Sequence, residues 1–146
     1  MIPDLDMQGY LPPGEHFATW EELSRRFGGN LVRKQLLEGL LRAIPLFRQA
    51  GCQRLWLDGS FVTTKEMPDD IDVCYDRCDV TLLDERLYPS FGLQRREQKR
   101  DFRCEFFAFD AVADIDAEGN PISYLEFFKT NRDGIPKGIV ELRIDE

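Results

Sequence analysis

The hydrophobic positions of this chain alternate between two spacings. At Trp20, Leu23 and Phe27, and again through Val32, Leu36, Leu37, Leu40, Leu41, Ile44 and Phe47, apolar residues recur every three or four positions, the spacing of one face of an α-helix. The first of these helices opens on a capping box, Thr19 as N-cap with Glu22 three residues on, and stops at Gly28-Gly29. Asn30 caps the second and Gly51 closes it. Pro45 predicts a kink or split near Ile44, because proline lacks an N–H and its ring crowds the preceding turn. Shorter apolar runs at Arg54–Asp58, Asp70–Asp76, Phe102–Phe109 and Gly138–Ile144 read as strands. Asp79 predicts the start of a helix through Leu87, ended by Pro89, and Ser123 that of a helix through Lys129. Residues 1–14 read as an irregular lead, 111–121 as an acidic loop and 131–137 as a turn-rich loop. The expected arrangement is a small mixed sheet with Arg54–Asp58 beside Asp70–Asp76 and Phe102–Phe109 next in line. The long helix Asn30–Ala50 covers one face. Helices interleaved with strands over one sheet define an α/β or α+β class, with one domain over residues 1–146.

Composition narrows the function. The chain has 146 residues, 42% hydrophobic and 32% charged, with a formal net charge of −8. Such an acidic balance does not hold a long nucleic acid by bulk electrostatics. The one dense basic cluster, Arg95-Arg96-Glu97-Gln98-Lys99-Arg100, reads as a solvated hairpin or loop. No apolar run is long enough to span a bilayer, and the acidic start Met1–Asp6 does not read as a secretory leader; a cytoplasmic protein is expected. The four cysteines (52, 74, 78 and 104) and the single His16 lack zinc-ligand spacing. Cys74 and Cys104 fall in strands and read as small core residues. Asp114-Ile115-Asp116 begins like a calcium loop, but the position that needs glutamate is Leu125, so calcium binding is not expected.

The chemistry concentrates at Leu55-Trp56-Leu57-Asp58-Gly59-Ser60 and Asp70-Ile71-Asp72-Val73. In a strand, Asp70 and Asp72 project from one face with Cα atoms roughly 7 Å apart, while Ile71 and Val73 point to the core. Two like charges so placed repel unless a cation lies between them, and Mg²⁺ prefers such hard oxygen ligands. The Gly59-Ser60 turn suits a triphosphate, because glycine lets the backbone approach and the following N–H groups favour an anion. A third carboxylate is expected from the neighbouring strand, Glu105 first and Asp110 as the alternative. Lys65 follows the Gly-Ser turn. Lys129, Arg132 and Lys137 sit in or beside the turn-rich loop, where they suit phosphate or a second substrate.

This arrangement of strand, Gly-Ser, spacer and acid-apolar-acid-apolar resembles the nucleotidyltransferase superfamily of DNA polymerase β in its minimal form. Arg25-Arg26-Phe27-Gly28, Asp58-Gly59-Ser60-Phe61-Val62-Thr63 and Arg132–Val140 also resemble small prokaryotic proteins of that class. The resemblance implies a nucleotidyltransferase-like sheet and Mg²⁺-dependent transfer of a nucleoside monophosphate from an NTP to a hydroxyl acceptor. Asp70, Asp72 and Glu105 would be the metal-binding and catalytic acids, and Gly59, Ser60, Lys65, Lys129, Arg132 and Lys137 the nucleotide contacts. A protein or small-molecule acceptor is expected rather than a long nucleic acid. The partner would be a toxin or defence component, or a second copy of the chain. A non-catalytic, antitoxin-like binding module is the competing expectation.

Overall fold

The computed structural model describes residues 1–88 and 93–145. Strands β1 (Gly14–Ala18), β2 (Arg54–Asp58), β3 (Ile71–Tyr75), β4 (Cys104–Ala108) and β7 (Gly138–Arg143) form one sheet in the order β1-β7-β2-β3-β4. The β2–β3 and β2–β7 pairs are antiparallel; β3–β4 and β1–β7 are parallel. Helices α1 (Trp20–Phe27), α2 (Leu31–Gln49), α3 (Leu93–Phe102) and α4 (Tyr124–Phe128) pack around it, and β5 (Val112–Ile115) with β6 (Pro121–Ser123) makes a separate hairpin. The class is therefore α+β, with a mixed five-stranded sheet. Among the described residues, no helix is long and apolar enough to cross a membrane.

Strand alternation divides the side chains between two cores. Leu55 and Leu57 of β2, Ile71, Val73 and Tyr75 of β3, and Cys104 and Phe106 of β4 are buried in one cluster with Leu36, Leu40, Ala43 and Phe47 of α2. Phe47 packs against both Tyr75 and Phe106, with ring centroids 5.2 Å apart in each case. On the opposite face Trp56, Cys74, Ile139 and Phe128 form a smaller cluster, joined by Phe107 and Tyr124. That second layer, with α4, leaves one end of the face for polar residues.

The capping signals act as the sequence predicts. Thr19 accepts from the Glu22 N–H, Asn30 from Arg33 and Ser123 from Glu126, each satisfying an otherwise orphaned helix N–H. Several elements differ from the sequence reading. Helix α2 runs through Pro45 without a split; buried Ala43, Ile44 and Phe47 hold that turn by packing. Directly after the irregular lead, and starting on its last residue, runs β1, a short strand not expected from the sequence because its exposed half has no apolar pattern to mark it. The helix expected over 79–87 is instead a turn followed by a 3-10 turn, Glu85–Leu87, capped by Asp84; Pro89 lies outside the described residues. The basic cluster is α3 rather than a loop, and Phe102 is its last residue rather than the start of a strand. The acidic loop carries the β5–β6 hairpin.

Helix α3 is seated by two devices. Gln98, fully buried, donates to the Tyr88 carbonyl at 2.8 Å and accepts from the Phe106 N–H at 3.0 Å, so the helix is tied to the edge strand β4. Gly39 of α2 faces the end of α3: a Cβ there would lie 2.6 Å from the Phe102 carbonyl carbon and 2.9 Å from the Arg103 Cβ. Arg103 turns the chain into β4 through a left-handed conformation, φ 58°. Gly39→Ala is expected to destabilise the fold by about 1–3 kcal/mol, because backbone rather than a flexible side chain must move. Gly29→Ala, with open space at its Cβ position, should change stability by less than about 0.5 kcal/mol. Urea denaturation of the two variants checks the contrast.

Candidate functional site

Register places three carboxylates in a row across three strands. Asp58 of β2 is the Cα partner of Asp72 of β3, and Asp72 is the partner of Glu105 of β4. All three project to the face opposite α2, because their neighbours Leu57, Val73 and Phe106 fill the α2 core. Asp70 precedes β3 on the same face. Further along the same face, Trp56, Cys74 and Phe107 form the matching apolar row.

Burial and repulsion act together on this row. The Asp72 carboxyl is pushed up to about 7, first by burial and then by the charges of Asp70, Asp58 and Glu105. Burial also raises Asp58 and Asp70 above the ordinary aspartate value. Two lysines oppose the effect. Lys99 of α3 places its Nζ 2.9 Å from Glu105 Oε1 and 3.2 Å from Asp70 Oδ2; its own pKa is raised chiefly by the Glu105 contact. Lys137, just before β7, pairs with Asp58, both side chains about one-tenth exposed. Arg95 stands 3.8 Å from Glu105 Oε2.

The turn after β2 lies against this row. Gly59 has φ +82°, and a Cβ on it would sit 2.6 Å from Asp72 Oδ2. Any side chain there would both strain the backbone and displace the carboxylate. Ser60 opens a 3-10 turn, Ser60–Val62, whose Phe61 and Val62 are buried in the main core.

Asp70, Asp72 and Glu105 are therefore brought together, and Gly59, Ser60 and Lys137 lie beside them. Glu105 rather than Asp110 holds the third position; Asp110 is exposed at the far end of β4, past Ala108. The remaining residues expected at the site are placed elsewhere. Lys129 pairs with Glu15 of β1 at 2.7 Å, where Glu15 also accepts from the Trp56 indole N–H. Arg132 is exposed in the loop before Lys137. Lys65 lines a cavity beside the α1–α2 junction. Two members of the row were missed: Asp58, whose signal was an acid ending an apolar strand immediately before Gly-Ser, and Lys99, hidden in a cluster read as a loop.

Oxygen-only donors match a hard divalent ion in kind. As arranged, however, no group of three or more His, Cys, Asp or Glu side chains among the described residues is placed to hold a metal. Lys99 bridges Asp70 and Glu105 instead.

The fold and this row define an α+β protein with a carboxylate cluster at one end of a mixed sheet. The chain belongs to a family of unknown function, DUF6932, whose profile matches residues 3–143. No curated protein and no solved structure gives a significant match.

The raised Asp72 pKa sets a pH dependence. The folded state holds this proton more tightly than the unfolded chain, whose aspartate titrates near 3.8. The resulting stabilisation is complete below about 4 and is lost as pH rises through about 7. An asparagine at this position does not titrate. Asp72→Asn should therefore be more stable than the parent at pH 8, with the gap closing towards pH 4, as read by thermal melts across that range. A gap independent of pH would contradict the assignment.

Proposed function

We propose that this protein is a Mg²⁺-dependent nucleotidyltransferase acting on a hydroxyl of a protein or small molecule, in the cytoplasm where nucleoside triphosphates are available. The single observation that carries the reading is the alignment of Asp58, Asp72 and Glu105 across β2, β3 and β4, with Asp70 beside them and Gly59 packed on Asp72. Asp70, Asp72 and Glu105 would hold the metal, which would supply charge neutralisation for the phosphates. Gly59 and Ser60 bring backbone and hydroxyl donors to the turn where the triphosphate would lie. Lys137 and Lys99, released from the carboxylates, would face phosphate oxygens.

In the proposed reaction the acceptor oxygen forms a bond to the α-phosphorus while the bond to the bridging oxygen breaks, and pyrophosphate leaves with that electron pair. The acceptor proton passes to a carboxylate of the row. Positioning and electrostatics carry such transfers more than covalent chemistry does.

One observation favours a second reading. Both flanks of the row are already neutralised by Lys99 and Lys137, as suits a non-catalytic, antitoxin-like or defence-associated module that binds a toxin or a second copy of the chain without turnover.

The test is incubation with Mg²⁺, each α-labelled NTP and a host lysate. The enzyme reading expects label on a protein or small molecule, reduced at least about a hundredfold in Asp70→Asn and Asp72→Asn, the range of losing one electrostatic contact to a transition state. Label chiefly on RNA would overturn the acceptor class. Tight capture of one protein with no transferred label would replace the enzyme by the binding module.

A further inference from the structure

Arg33 is a buried cation whose partners are all neutral. It is 6% exposed in the first turn of α2. One terminal nitrogen donates to the carbonyls of Phe27 and Phe61, at 3.1 and 2.6 Å. The other donates to those of Thr63 and Lys65, at 2.9 and 2.5 Å. The guanidinium thus ties the segment after Gly59-Ser60 to the α1–α2 junction. No carboxylate pairs with it among the described residues, and burial lowers its pKa. Carbonyl dipoles offset part of the cost of burying a charge, but they leave its field uncancelled.

That field opens into a cavity of about 530 Å³ lined by Arg26, Arg33 and Lys65, with Glu66 as the only carboxylate. Arg26 and Lys65 are exposed and, like Arg33, make no ion pair among the described residues. Arg26 spends one N–H on the Ile2 carbonyl, at 2.7 Å. Thr63 has its hydroxyl on the Ser60 carbonyl, while Thr64 adds another hydroxyl to the rim. Three cations gathered against one acid in a chain of net charge −8 are a local inversion of the protein's charge. Its volume is that of a small-molecule site.

We propose that this cavity binds a small molecule bearing a phosphate group. Two exposed cations in front of a buried third match a dianion better than a single carboxylate, and a guanidinium with a flexible ammonium can share its oxygens. The ligand would rest on residues 63–65, on the flank of the loop away from the acid row. This site stands independently of the nucleotidyl-transfer reading.

Calorimetric titration in EDTA with inorganic phosphate, and separately with phenyl phosphate, tests it without metal or nucleobase. The expected result is saturable binding of at least one probe. Tighter binding of phenyl phosphate would point to a phosphomonoester, and tighter binding of inorganic phosphate to the free ion. Lys65→Gln and Arg26→Gln should each weaken binding, and the double variant should weaken it by about tenfold or more, a loss equal to one factor of ten in Kd. Asp72→Asn should leave it unchanged. Binding of neither probe, or an unchanged affinity in the double variant, would overturn the proposal. So would loss of binding in Asp72→Asn alone, which would assign the phosphate to the acid row.

Discussion

Like-charge repulsion between carboxylates that the strand registers force into line is the constraint on which the rest of this structure depends. Asp58, Asp72 and Glu105 cannot separate without shifting β2, β3 or β4 by a residue. Such a shift would send Leu57, Val73 and Phe106 out of the main core and bring the acids into it. The hydrophobic pattern therefore fixes the electrostatics: the better the core packs, the more firmly the three charges are held together. Gly59 completes the arrangement by keeping the backbone of the turn within reach of the Asp72 carboxylate.

The rest of the fold supplies counter-charge from opposite sides. Lys137 arrives from the loop that feeds β7, and Lys99 from α3. Helix α3 holds its place through the buried Gln98, which reaches from Tyr88 to Phe106, and through Gly39, which lets α2 approach the Phe102–Arg103 corner. An internal lysine satisfies a carboxylate row without a ligand, and it is also a group that an incoming cation displaces. Both the catalytic and the binding-module readings rest on that property. They differ in whether the lysines give way.

What the sequence made legible follows from where its signals are local. Thr19, Asn30 and Ser123 act through side chains three residues from their partners, and strand alternation assigned Ile71 and Val73 to the core and Asp70 and Asp72 to the other face. The sheet order around β2, β3 and β4 was also readable, because each strand is a compact apolar run. The misplaced elements depend on distant partners. Helix α3 is nearly all polar, so no apolar stripe marks it in the sequence, and its seat depends on Gln98 bonding across to β4 and on the close approach of Gly39. Strand β1 is fixed by pairing with β7, at the other end of the chain. Proline inside α2 is outweighed by the packing of its neighbours. At the site, the Asp70–Asp72 pair announced itself by spacing. Asp58 is revealed by the cross-strand register and Lys99 by a tertiary contact. The same holds for Lys129, which chemistry suggested for phosphate and the fold commits to Glu15.

The most direct test of the account is an NMR titration of the Asp72 side-chain carboxyl, with and without millimolar Mg²⁺. Burial, with charge crowding in the row added to it, predicts half-protonation near pH 7 in the metal-free protein, a fall in that midpoint when Asp58 is replaced by Asn, and a further fall when Mg²⁺ is added. A midpoint near the ordinary aspartate value in the metal-free protein, indifferent to both changes, would contradict it: the row would then be an ordinary set of solvated acids, and the case for cation chemistry at this end of the sheet would be gone.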